Sequence, residues 1–107
     1  MLMTITACLL LLAAAGIPAA AVEMHGVYEA SFTSSRAYEN PSLDVGAAVE
    51  FVSPSGKRAS ADAFWDGGGV WRVRFSPTET GDWRWTSECT DPANSGLHGR
   101  SGSFECK

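Results

Sequence analysis

Residues 70–75 alternate strictly: Trp71, Val73 and Phe75 fall on one parity, Arg72 and Arg74 on the other. That is the period of a half-buried strand, whose successive side chains point to opposite faces. Trp83 and Trp85 repeat the pattern, with Arg84 and Thr86 on the other parity. Residues 66–69 predict a turn before the first of these strands, and residues 77–82 a turn after it. The stretch 64–85 therefore reads as two and a half antiparallel strands sharing one aromatic face. A lone hairpin is marginal in water, so this face requires a second sheet over it.

The rest of the chain supplies further strands. Residues 25–34 predict the first. Residues 43–53 predict the second, with Val45, Ala47, Val49 and Phe51 inward and Asp44 and Glu50 outward. Ser53-Pro54-Ser55-Gly56 has Pro and Gly where a turn wants them. Residues 57–65 predict the third strand. Its Ala59, Ala61 and Ala63 share the parity of Trp65, which favours Trp65 inward opposite Trp71. The Gly67-Gly68-Gly69 turn leaves the register open, and a one-residue slip exchanges Phe64 for Trp65. Residues 34–42 and 90–100 are polar loops, and residues 102–106 the last strand. No helical periodicity appears beyond the N-terminal segment. The expected fold is all-β: an immunoglobulin-like antiparallel β-sandwich of about seven short strands. In Gly81-Asp82-Trp83 an aromatic opens the penultimate strand, as at the corner of immunoglobulin-like domains.

The N-terminal segment has a different character. Residues 1–21 carry no charged side chain, and residues 5–15 are apolar except for Thr6. That run suits a signal-peptide core and is too short to span a bilayer. Gly16 and Pro18 break it, and Ala19-Ala20-Ala21 offers a small-x-small cleavage site. The expectation is a signal peptide over 1–21, cleaved after Ala21, and a secreted or periplasmic domain over 22–107 with no membrane association after cleavage. Residues 1–4 lack the Lys or Arg of an n-region. Lipidation at Cys8 is disfavoured, because the apolar run follows that cysteine instead of preceding it.

The 107 residues allow one domain, and the formal net charge of −4 gives no reason to expect a nucleic-acid partner. Arg72, Arg74 and Arg84 are expected on the outer face of neighbouring strands, a solvated surface with Glu88 nearby. Cys89 and Cys106 remain after cleavage, both on inward parity and on strands expected to be neighbours, so a disulfide between them is predicted. Such a loop closure contributes about 3 kcal/mol by chain entropy. Two cysteines without a matching His pair make no zinc site, and His25 and His98 stand alone, so no metal or cofactor is expected. The glycine run follows one strand and opens another, with no helix N-terminus for a phosphate. The carboxylates fall mostly on outward parities or in turns, with no facing pair across a cleft, so no catalytic residues are expected. Trp71, Trp83 and Trp85 lie at core parity. That leaves Tyr38, and Phe64 or Trp65 according to register, as candidate stacking surfaces for a sugar ring. Val52 and Val70 lie on outward parities, and Phe64 joins them when Trp65 is inward, as an apolar contact surface.

At Phe64-Trp65-Asp66-Gly67, Trp71-Arg72-Val73-Arg74-Phe75, Gly81-Asp82-Trp83 and the run from Gly96 to Phe104, the chain resembles domain-of-unknown-function family 5060. The resemblance covers residues 22–107. It implies an immunoglobulin-like module that precedes a (β/α)-barrel of the glycoside hydrolase or apiosidase-like kind. The function it implies is that of a secreted, non-catalytic accessory domain packed beside the barrel of a carbohydrate-active enzyme. The alternative is an independent carbohydrate-binding or adhesive module with a polysaccharide partner. Some members also carry a cysteine pair where Cys89 and Cys106 stand.

Overall fold

A computed structural model describes residues 20–107. Among them are β1 (Ala20–Val22), β2 (Tyr28–Thr33), one helical turn α1 (Pro41–Asp44), β3 (Ala47–Val52), β4 (Arg58–Asp62), β5 (Phe64–Trp65), β6 (Val70–Phe75), β7 (Gly81–Cys89) and β8 (Ser101–Cys106). One sheet has the order β1-β8-β7-β3-β4, the other β2-β6-β5. All pairings are antiparallel except β1 with β8. The molecule is an all-β sandwich. In immunoglobulin terms β2, β6 and β5 stand as B, E and D, facing β3, β7 and β8 as C, F and G.

Alternation fills the space between the sheets. Val49, Phe51, Trp71, Val73, Trp83, Trp85 and Phe104 are all buried. Rings meet across the gap: Tyr28 of β2 stacks on Phe104 of β8 at 4.0 Å, and Phe51 of β3 on Phe75 of β6 at 4.1 Å. Such pairs contribute about 0.5–1.5 kcal/mol each beyond the area they bury. Trp85 Nε1 donates to the Tyr28 hydroxyl at 3.0 Å, tying the sheets by a polar contact as well. Trp85 has room because Gly102 faces it across β8: a Cβ there would stand 2.6 Å from Trp85 Cε2.

The hairpin at residues 65–71 has the expected register, Trp65 opposite Trp71. Several expectations change. Leu43 and Asp44 lie in α1, and β3 starts only at Ala47, because Pro41 suits a first helical turn and Asp44 closes it by accepting the Asn40 N–H. The third strand divides: β4 pairs with β3 in one sheet, and β5 pairs with β6 in the other. The chain switches sheets at Ala63, whose N–H donates to the Ala47 carbonyl at 2.9 Å. β6 and β7 do not pair. Their tryptophans face one another from opposite sheets instead of sharing one, and Arg84 lies on the far side of the molecule from Arg72 and Arg74. Val52 is separated in the same way from Val70 and Phe64, so the three form no common surface.

The Cys89–Cys106 disulfide is also overturned. Both residues are buried and both thiols are free. They lie on paired strands and face inward, but Cys106 is opposite Gly81, at the other end of the 9-residue β7 from Cys89. At roughly 3.4 Å per residue about 27 Å separates them, far beyond the roughly 4.4–6.8 Å between Cα atoms that a disulfide spans. Parity fixes the face of a strand and says nothing about position along it. The signal-peptide expectation falls mostly on residues 1–19, outside the described residues. Its cleavage bond, Ala21–Val22, lies within β1.

Candidate functional site

The sheet switch at Ala63 leaves a cleft of about 740 Å3 at one end of the sandwich, where the chain leaves the larger sheet after β4 and joins the other as the short β5. Gly46, Ala47, Ala48 and Ala63 line it with little side-chain volume, which is why the space stays open. Trp65, Trp71 and Cys89 complete the walls. Its size is in the range of small-molecule sites.

The three aromatic candidates fare differently. The Tyr38 hydroxyl donates to Asp91 Oδ2 at 2.7 Å and accepts from Asn94 Nδ2 at 3.0 Å. Partial burial first, and the bond to Asp91 second, raise the Tyr38 pKa; the same bond chiefly lowers that of Asp91. Tyr38 is therefore a structural post outside the cleft. Phe64 borders the cleft, but its ring points to the outer face, where the Arg74 guanidinium lies 5.1 Å from its centroid, so one ring face is taken. Trp65 lines the cleft with 39% of its surface exposed. Its Nε1 donates to the Gly68 carbonyl at 2.8 Å, which fixes the ring against its own hairpin turn. No aromatic or cationic group is stacked on it among the described residues. The sequence placed Trp65 on the inward face, and it is there, but the facing sheet ends before covering it.

Two carboxylates stand on the rim. Asp62 of β4 and Glu88 of β7 are both opposite Ala48 of β3, on its two sides. Their backbones are about two inter-strand spacings apart, roughly 10 Å. Neither makes an ion pair among the described residues. Both are exposed. A glycosidase acid is kept protonated by a dry pocket, and nothing encloses these two. No cluster of three or more metal-ligating side chains occurs among the described residues.

The outer face of the smaller sheet carries its own charge ladder. Arg72 bonds Asp66 at 2.6 Å and Glu29 at 3.1 Å, and Arg74 bonds Glu29 at 2.8 Å. The Arg74 bond is the largest cause of a lowered Glu29 pKa, and the Asp66 bond of a raised Arg72 pKa. These arginines are spent on neighbouring carboxylates, as expected of a solvated face.

Sequence reading missed Asn94. It is fully buried in the loop after β7, where it serves the loop after β2. Its Oδ1 accepts from the Ser35 N–H at 2.9 Å and the Ser35 hydroxyl at 3.0 Å, and its Nδ2 donates to Ser34 Oγ at 2.8 Å. An Asn in a polar loop gives no sequence signal of burial.

A solved protein from Bacteroides vulgatus ATCC 8482, described as a "putative glycoside hydrolase", matches with a TM-score of 0.69 and 26% identity over 82% of this chain. The match covers 16% of that protein, so this chain corresponds to a small part of its length. The comparison with curated proteins found no match. The family model for the domain of unknown function DUF5060 matches residues 21–90, about two thirds of the chain, which takes in β2 to β7 and leaves β8 outside. The chain belongs to the DUF5060 family.

Proposed function

We propose that the chain is a secreted, non-catalytic accessory domain that packs beside the catalytic barrel of a carbohydrate-active enzyme. The observation that carries this is the recurrence of 82% of this chain as a 16% part of a chain described as a "putative glycoside hydrolase". Two features support it. The rim carboxylates Asp62 and Glu88 are exposed, without the enclosure that glycoside hydrolysis needs. Apolar side chains also lie bare beside the end of β8: Met24 is 43% and Val27 64% exposed. The Met24 N–H donates to the Lys107 carbonyl at 3.1 Å, so a domain following Lys107 would emerge against these side chains. Two bare apolar side chains at this place are available to a contacting domain.

The test has two arms. The purified chain is assayed on aryl glycosides and titrated calorimetrically against plant and microbial glycans. No hydrolysis is expected, and no dissociation constant below about 10 μM, roughly 7 kcal/mol. In parallel, the matching segment is deleted from the Bacteroides vulgatus protein. The remainder should keep the chemistry that protein shows and melt at lower temperature. Hydrolysis by the isolated chain would overturn the reading, and tight glycan binding would promote the independent binding module.

A further inference from the structure

We propose that the cleft at Trp65 is a shallow subsite for one neutral pyranose ring, with Trp65 as its stacking platform. The inference rests on the reading of the chain as a module of a carbohydrate-active enzyme, and adds to it a ligand and a place.

The cleft lies at the end of the molecule away from Lys107. Cys89 and Ala47, paired at this end of β7 and β3, line it. Cys106 and Lys107 lie at the Gly81 end, roughly the 27 Å length of β7 away. A domain following Lys107 would start beside Met24, at the opposite end of β7 from the cleft. That separation favours an occupant from solution.

The walls select its chemistry. Trp65 presents an unstacked indole whose orientation is already fixed by the bond to the Gly68 carbonyl, so little side-chain freedom is lost on binding. The apolar face of a pyranose fits such a surface, with its C–H groups against the negative ring face. Trp71 adds apolar wall, but its Nε1 is sealed from solvent and offers no donor to a ligand. The Ser42 hydroxyl at the rim donates or accepts, and Asp62 and Glu88 border the cleft from the outer face of the larger sheet, on the parity of Ala48. Two carboxylates without ion-pair partners admit a neutral ring and repel a uronate. One stacking face in an open cleft gives weak binding, so the subsite is compatible with the absence of micromolar affinity.

The experiment uses residues 20–107 labelled with nitrogen-15, and follows the indole N–H resonances of the four tryptophans. Methyl glycosides of glucose, galactose, xylose and arabinose, β-1,4-linked trimers of glucose and xylose, and methyl glucuronide are each added to about 50 mM, past the millimolar constants expected of one open subsite. At least one neutral sugar should move the Trp65 resonance saturably, leaving Trp83 and Trp85 in place. Glucuronide should bind at least tenfold more weakly. Trp65→Ala should raise the dissociation constant at least tenfold, read on the Trp71 resonance, and Trp65→Phe should raise it less. Unchanged Trp83 and Trp85 resonances in these variants establish that the fold is kept. Absence of saturation with every probe, binding that survives Trp65→Ala, or a response confined to Trp83 and Trp85 would overturn the subsite. Those outcomes leave the accessory reading standing, since its deletion and hydrolysis assays do not involve Trp65. Saturation at Trp65 with a constant below about 10 μM would do the reverse.

Discussion

Trp83 acts twice at the start of β7. Its ring fills the core between Phe75 and Phe104, and its Nε1 donates to the Glu79 carbonyl at 2.9 Å, closing the corner before the strand. This is the arrangement of the tyrosine corner of immunoglobulin-like domains, made here with an indole. Gly81 permits it: its φ is 122°, and a Cβ would stand 2.8 Å from Pro54 Cγ. Trp83→Ala is expected to cost roughly 3–5 kcal/mol, and Arg84→Ala, on an exposed position, to stay within about 0.5 kcal/mol. Equal shifts in urea midpoint for the two would contradict the assigned faces. Trp71 is a useful contrast, because its buried Nε1 has no partner. Trp71→Phe gives up no hydrogen bond, whereas Trp83→Phe gives up one, so it should be the milder change by about 1 kcal/mol. Denaturant melts of the two single variants make the comparison.

At the scale of elements, β7 is the centre of the larger sheet, paired with both β3 and β8. The loop that follows is held back against it. Ser87 Oγ donates to the Leu97 carbonyl at 2.7 Å and accepts from the Arg100 N–H at 2.9 Å, and His98 Nδ1 accepts from the Cys89 N–H at 3.0 Å. Leu97 is thereby pressed into the core. Asn94 ties the same loop to residues 34–38 of the other sheet's edge. Asn94→Ala removes the partner of the Ser35 N–H and hydroxyl, which lie at a partly exposed site, and is expected to cost about 1–2 kcal/mol. Hydrogen exchange should quicken in residues 34–38 and 91–98 and stay slow in β3 and β7. Uniform loss of protection would mean that the two loops are not a separate unit. Little of this was legible beforehand. The strands showed themselves through period-two alternation, but the loop's hydrogen bonds link residues some sixty positions apart, and no local pattern encodes them.

Across the described residues as a whole, three carboxylates have lowered pKa values: Glu29 chiefly through Arg74, Glu79 through the Ser55 hydroxyl and Asp91 through the Tyr38 hydroxyl. Each is bonded more favourably in its charged form when folded. Their contribution is therefore complete above the ordinary carboxylate range and is lost as the pH falls through the lowered values. Urea midpoints should be level near neutrality and decline on acidification below about pH 5. Glu79→Gln should flatten part of that decline, and an unchanged slope would remove Glu79 as a contributor. The cysteines give a second test. Residues 20–107, unfolded without reductant in the presence of iodoacetamide, should gain label on both Cys89 and Cys106, since both thiols are free. Peptide mapping locates the labels, and a joined Cys89–Cys106 peptide would contradict the register of β7 with β8.

The sequence by itself determined which side chains face inward on β3, β6, β7 and β8. A strand's side chains alternate whatever surrounds it, so Trp71, Val73, Trp83, Trp85 and Phe104 could be assigned from neighbours one and two positions away. It also determined the hairpin at residues 65–71 and, from these motifs together, the family. Pairing was beyond it. The turn between β6 and β7 could have returned the chain along the same sheet or carried it across to the other, and both choices bury the same faces. Only the closed sandwich shows that it crosses. The same limit misplaced the cysteines, because parity gives a face and register gives a position along it. It also left the role of Trp65 undecided. Whether an inward side chain is buried depends on how far the opposite sheet extends, and that sheet ends where the chain switches sides at Ala63.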